Sequence, residues 1–308
     1  MAMIRKIRYA KLSIISNSSL IALKFAIGIF TGSVSIISEA IHSTMDLAAS
    51  IITYVSVKMS DRPPDKEHPY GHQKIENISG VAEAVLIIMA SFYIMKEAVK
   101  KLIHHQHVAS AGWGFLAMLI SAIINIIVSK RLYKVARQEE SIALEADALH
   151  LKADVYTSLG VALGLLILWI TGLHFLDPLV AMIIALLILK EAFDMLMRAY
   201  TPLIDAKLSD EEVQKIRAIL DKYKTVFTGF HELRTRRAGN MKYIDLHLNA
   251  PNDMTIKEYH RNCDLIENDI ETALKHTNVL VHIEPCQEKC DGCDLKNKAK
   301  YCKDTEAR

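Results

Sequence analysis

No G-x-x-x-x-G-K-[ST] phosphate loop occurs in the 308 residues, and no large nucleotide domain stands in for one, which argues against a primary pump. H-E-x-x-H is also missing. His231-Glu232 has no second histidine four residues on, so a membrane metalloprotease finds no support. Charge of one sign is lacking, since 37 Lys and Arg balance 35 Asp and Glu to a formal net charge of +2. No nucleic-acid partner is expected. Cysteine is scarce until the end, where Cys286, Cys290, Cys293 and Cys302 follow the single upstream Cys263. The basic stretch 1–11 leads into an apolar segment too long for a signal-peptide core and without a small-residue cleavage site, so the first apolar block is expected to stay in the protein.

What is abundant is apolar sequence gathered into blocks. Hydrophobic residues make up 51% of the chain and concentrate at 12–30, 34–57, 78–95, 113–128, 155–175 and 179–196. Most of these blocks approach the roughly 20 residues that a bilayer requires, which predicts six transmembrane helices. Lys24, Glu39, His42, Asp46 and Glu83 fall inside them, and a bundle interior must accommodate these groups. Arg5, Lys6, Arg8 and Lys11 precede the first block, Lys58, Arg62, Lys66 and Lys74 follow the second, and Lys130, Arg131, Lys134 and Arg137 follow the fourth. The positive-inside rule therefore puts both termini in the cytoplasm, with Lys96, Lys100 and Lys101 as the minority on the other side.

Two of the blocks carry His42-x-x-x-Asp46 and His150-x-x-x-Asp154. Residues four apart share one helical face, so each pair offers a nitrogen and a carboxylate oxygen to one point. Two such helices facing each other make a tetrahedral N/O set suited to Zn²⁺ or a similar ion. Ionisable groups at membrane depth are costly, and a metal path through the bilayer is the default reading.

From Asp205 onward the composition becomes that of a soluble domain, which predicts a transport domain over 1–204, a metal-binding dimerisation domain over 205–285 and a cysteine tail over 286–308. Ser209 ahead of Asp210, Glu211 and Glu212 predicts a capped helix to about Tyr223. Strand-like runs at 229–237 and 241–249 flank Gly239-Asn240, a hairpin signal. A helix over about 255–276 and a strand over 278–284 complete an α-β-β-α-β order, a small α+β domain helped by dimerisation or metal. Alternation in the second run puts His247 opposite the core face of Ile244, Leu246 and Leu248.

The segments Ser38-Glu39-Ala40-Ile41-His42-Ser43-Thr44-Met45-Asp46, Ala146-Asp147-Ala148-Leu149-His150-Leu151-Lys152-Ala153-Asp154 and Arg62-Pro63-Pro64-Asp65-Lys66-Glu67-His68-Pro69-Tyr70-Gly71-His72 resemble the cation diffusion facilitator family, and the likeness covers nearly the whole chain. The resemblance implies a homodimeric exporter of Zn²⁺ or a related divalent cation in exchange for protons, by alternating access. It also implies a ferredoxin-like, metallochaperone-like cytoplasmic domain. The family's transport site maps onto His42, Asp46, His150 and Asp154. Some members carry Asp at the place of His42, and manganese-type members tend to carry carboxylates in place of both histidines. The two-His, two-Asp form here points to Zn²⁺ ahead of Cd²⁺, Co²⁺ or Fe²⁺.

Further positions match family sites. Asp65, His68 and His72 match a loop metal site, and their spacing suits a turn that gathers ligands, although histidine-bearing loops are often simply solvated. His231, His247, His260 and His282, with Glu284 in place of a more common Asp, match a cytoplasmic zinc cluster expected to stabilise the dimer and adjust transport. Lys74 and Asp205 match a charge interlock at the membrane boundary; the plain alternative is two interfacial charges meeting water. Glu39 either orients His42 or relays protons, or else faces water at a helix end. Beyond the family pattern, Cys286, Cys290, Cys293 and Cys302 make a thiol cluster suited to Zn²⁺, Cd²⁺ or Cu⁺ in a reducing compartment. Cys263 reads as a packing residue, and His104, His105 and His107 as an exposed outer loop.

The missing long histidine-rich loop between the fourth and fifth blocks favours a prokaryotic plasma membrane over a vesicular one. The competing reading is a membrane-anchored cytoplasmic metal sensor without net transport. Six spans are more than a sensor needs.

Overall fold

The computed structural model describes residues 2–31, 34–104, 112–171, 176–252 and 254–286; within the helices, the side chains of 34–42, 112–118 and 160–171 and a few others are outside the description. Two compact units divide at Leu203 and Ile204.

The first unit is all helix: α1 (Ala2–Thr31), α2 (Val34–Ser60), α3 (Lys74–His104), α4 (Gly112–Gln138), α5 (Ile142–Thr171) and α6 (Leu176–Tyr200). At about 1.5 Å per residue each is long enough to cross a hydrocarbon layer of roughly 30 Å. By length and composition alone, Met3–Ile27 and Lys74–Lys100 meet the requirement for a span. α1 packs on α2, α3 on α6, and α5 between α4 and α6, with α2 and α3 both reaching α5.

Side-chain placement inverts the soluble pattern. Phe30 is 91% exposed, and Ile29, Met89, Phe92, Tyr93, Leu186 and Leu187 also face outward, while Lys6, Asn17, Asp46, Ser50, Glu76, Glu83 and Asp147 are buried. A chain in water would bury the first set and expose the second; a chain in lipid does the reverse.

The helices start before or run beyond the apolar blocks: α1 begins ten residues ahead of the predicted start at 12, and α4 continues ten past 128. Hydropathy marks the lipid-facing length of a helix, not where its backbone hydrogen bonding stops.

The second unit opens with the end of a 3₁₀ turn over Thr201–Ile204 and has the order α7 (Asp210–Lys222), β1 (Gly229–Ala238), β2 (Met241–Ala250), α8 (Ile256–Ala273), β3 (Thr277–Pro285). Ser209 and Glu212 close a capping box on α7 as the acids after Ser209 predict, and Thr255 with Glu258 closes another on α8. β1 and β2 pair antiparallel and β3 joins β2 in parallel through the α8 crossover. α8 stops at Ala273 rather than near His276, because Thr277 already belongs to β3 and His276 turns with φ 54°. Ile216, Ile219 and Leu220 of α7 and Cys263, Ile266 and Ile270 of α8 cover Ile244, Leu246 and Leu248 of β2. One face of the sheet is thus core, and the opposite face carries the histidines.

Candidate metal centres

In the first unit α2 presents Asp46, and α5 presents His150 and Asp154 one turn apart. One ligand atom from each lies within 4.8 Å of the others, and His150 Nε2 stands 3.1 Å from Asp46 Oδ1. Two carboxylates and an imidazole from facing helices form a donor set that accepts borderline divalent ions. His42 lies one turn before Asp46 on α2, and its side chain, like that of Glu39, lies outside the described residues.

Around these ligands is a polar shell that sequence reading did not assemble. Asn17 of α1 donates to Ser50 Oγ at 2.8 Å and to the Asp46 carbonyl at 3.4 Å, and Ser13 Oγ lies 2.9 Å from Ser50 Oγ. Lys24 donates to Ser43 Oγ at 2.7 Å. These bonds fix the α2 backbone beside Asp46. Polar residues inside apolar blocks were the signal, but only the packing says which of them meet.

Asp65, His68 and His72 also come within 4.8 Å of one another. Asp65 Oδ1 accepts the backbone N–H groups of His68 (2.7 Å) and Glu67 (3.0 Å), and Gly71, at φ +87°, reverses the chain so that its N–H reaches the His68 carbonyl. His68 Nδ1 and His72 Nε2 each stand 3.4 Å from an Asp65 oxygen. The His68 N–H is the main reason that the Asp65 carboxyl is held below its ordinary value.

In the second unit β1 aligns His231 with His247, and β3 aligns His282 with the same His247. Three imidazoles therefore form a row across the sheet, with ring centroids 5.2 and 4.7 Å apart. Glu284 serves all three, at 3.0 Å from His247 Nδ1, 3.3 Å from His231 Nε2 and 3.7 Å from His282 Nε2. Glu232 was not foreseen: a bulge in β1 after His231, with Glu232 at φ 49°, brings its carboxylate 3.9 Å from His247. His260 departs from the expected cluster. It projects from α8 beside Asp264 at 3.5 Å, its side chain 80% exposed, and does not join the row within one chain.

Cys263 is a core residue of α8, and burial, then Glu267 and Asp264, push its thiol up to about 11, so it is a neutral packing group. The Cys286 N–H donates to the Ala250 carbonyl at 2.9 Å. Cys290, Cys293 and Cys302 lie outside the described residues, as do His105, His107 and the side chain of His104. Of the charged pair at the boundary, Lys74 belongs to the first unit, where it donates to the Leu203 carbonyl at 3.5 Å, and Asp205 to the second, where it stands 3.5 Å from Arg236.

A lipid-facing exterior and a polar interior bearing metal-type donors describe a membrane protein built to pass cations. Comparison with known proteins agrees: residues 10–204 match the cation efflux transmembrane domain, and residues 208–286 match the cytoplasmic domain of cation efflux proteins. The chain belongs to the cation efflux family, the cation diffusion facilitators, and is an integral membrane transporter rather than an enzyme. It is 31% identical to an uncharacterized transporter of Synechocystis sp. over 91% of this chain and 90% of that one. It is equally identical to the cation-efflux pump FieF of Citrobacter koseri, over 91% and 92%. A solved zinc form of CzrB matches 27% of this chain and 96% of its own at 35% identity, with a TM-score of 0.26.

Proposed function

We propose that the protein is a homodimeric exporter of divalent cations, with Zn²⁺ as its principal cargo and Cd²⁺, Co²⁺ and Fe²⁺ as lesser ones, driven by exchange for protons. The observation that carries this reading is the approach of Asp46, His150 and Asp154 within 4.8 Å inside the bundle. His42 completes the set at the position one turn before Asp46. Imidazole nitrogens beside carboxylates favour Zn²⁺ and its neighbours over Mg²⁺ or Ca²⁺, which take all-oxygen shells.

Binding needs neutral imidazole and ionised carboxylate, so protons and metal compete for the same side chains. A site that opens alternately to each face then loads metal where protons are scarce and releases it where they are plentiful. All six helices of residues 1–204 cross the bilayer in this scheme, with both termini in the cytoplasm of a prokaryotic plasma membrane. Residues 205–285 bind metal through His231, His247, His282 and Glu284, with His260 as a candidate further ligand, and hold the dimer together; 286–308 form the cysteine tail. The 65–72 turn and the tail cluster adjust the rate.

Inverted vesicles containing the protein should take up Zn²⁺ in proportion to an imposed pH gradient, and Asp154→Ala should abolish this uptake while metal binding by the tail persists. Uptake indifferent to the gradient refutes proton exchange. Asp154→Ala with full uptake refutes the site. A wild-type protein that binds Zn²⁺ and moves none would be a sensor.

A further inference from the structure

Glu83 of α3 and Asp147 of α5 are both fully buried, and neither belongs to the His/Asp centre. Each is tethered to α2 by one oxygen: Thr53 Oγ1 donates to Glu83 Oε1, and Ser50 Oγ to Asp147 Oδ1 at 3.1 Å. Ser50 and Thr53 lie three residues apart, so the tethers occupy neighbouring turns of one face. The other two oxygens, Glu83 Oε2 and Asp147 Oδ2, are buried and accept no hydrogen bond of good geometry among the described residues, although the hydroxyls of Ser79 and Ser13 stand near the respective carboxylates. Tethered to hydroxyls three residues apart on α2, the two carboxylates lie at the same level of the bundle.

The position is as telling as the chemistry. Ser50 is one turn beyond Asp46 toward the end of α2 that leads to the 61–73 segment, and Asp147 is about one turn before His150 on the antiparallel α5. The acid pair therefore sits one turn, about 5 Å, from the His/Asp centre on the side of that segment. Two fully buried acids at one level of the bundle, each with an oxygen that lacks a hydrogen-bond partner, are costly when ionised. A cation between them removes that penalty. Lys24, the basic side chain buried near the centre, is engaged with Ser43.

We propose that Glu83 and Asp147 form a second, all-oxygen cation station, where the divalent cargo rests, still partly hydrated, before the imidazole of His150 takes it. Oxygen donors hold such an ion loosely and exchange it quickly, while the nitrogen-bearing centre beyond it discriminates. This inference deepens the transport reading above and rests on it.

The test uses Mn²⁺ as the probe, because an oxygen set accepts it readily. Purified full-length wild type, Asp154→Ala and Glu83→Gln/Asp147→Asn are titrated with Mn²⁺, and Zn²⁺ efflux is followed in proteoliposomes. Asp154→Ala is expected to retain one Mn²⁺ that the double variant loses. The double variant is also expected to raise KM for Zn²⁺ on the order of tenfold with kcat within about twofold. Because it removes two buried charges at nearly constant shape, the metal-free double variant should unfold at a higher temperature than wild type. Thr53→Val, which only frees Glu83 from its tether, should move KM in the same direction by less.

An unchanged Mn²⁺ count with unchanged KM overturns the station. So does an unchanged count with an altered pH dependence, since the pair would then hold a proton. If wild type transports no Zn²⁺ yet the Mn²⁺ difference persists, the exporter reading fails while the station stands.

Discussion

Lys6 Nζ stands 2.7 Å from Glu76 Oε1, and both side chains are only 2% exposed. Ser60 and Ser141 donate to the same carboxylate at 3.0 and 2.5 Å, and Asp61 lies 3.7 Å from the ammonium. This knot ties the start of α1 to the end of α2, the start of α3 and the turn before α5. Lys6→Met leaves Glu76 buried without its cation and is expected to cost about 3 to 5 kcal/mol. Lys6→Met/Glu76→Leu removes both charges and should recover most of that loss. Unfolding in detergent of the two singles and the double, read as a cycle, checks it; additive losses would show that the pair is not coupled.

Gly80 marks a close approach of α3 to α5 and α6. A methyl group there would stand 2.7 Å from Ile142 Cγ2 and 3.1 Å from Ala199 Cβ, so α5 and α6 must yield. Small residues permit such approach in bundles that have no hydrophobic force between helices. Gly80→Ala is expected to cost about 1 to 3 kcal/mol and to slow transport. Ile142→Ala in the same chain should restore part of both, which thermal unfolding and vesicle uptake would register.

The tail cluster turns on Glu284, the carboxylate shared by three imidazoles. Glu284→Gln should weaken Zn²⁺ binding by the tail at least tenfold in a chelator competition. His260→Ala should weaken it less, since His260 stands apart with Asp264. The reverse ranking would mean that the row is not the primary site.

The fold of α7 carries its own dependence on acid. Partial burial raises the Glu212 pKa, but Arg237 at 2.8 Å, the Ser209 hydroxyl and N–H, and Lys242 outweigh it, and the carboxyl is held below its ordinary 4.5. A lowered folded-state value means that this stability is fully present above 4.5 and disappears as pH falls through the folded value. Glu212→Gln should therefore lose protection of the α7 amides at neutral pH and show a flatter decline below pH 4.5, as hydrogen exchange on the full chain would reveal.

The helical fold was legible because the apolar blocks are near bilayer length and are set apart by charged or turn residues such as Thr31-Gly32-Ser33, and the shared face of His150 and Asp154 because four-residue spacing is itself geometry; that Asp46 meets them is a matter of packing between α2 and α5. The α7 cap was equally plain in Ser209 and the three acids after it. Asn17, Ser50 and Asp147 were not recognised as a shell, since their contacts join residues up to 97 apart that share no local pattern. Glu232 escaped because a β-bulge overrides strict alternation. His260 matches the other histidines by its place in the family pattern, and only the packing of α8 shows that it faces elsewhere in a single chain.

The row of His231, His247 and His282 crosses three strands, two antiparallel and one parallel, at a single level. Side chains on neighbouring positions of a strand point to opposite faces, so a slip of one residue at either seam would drive an imidazole into the helix-covered side. An ion gripping all three thus rewards one alignment alone. Were the proposed ion bound there, its supply and the correct threading of this small sheet would be coupled.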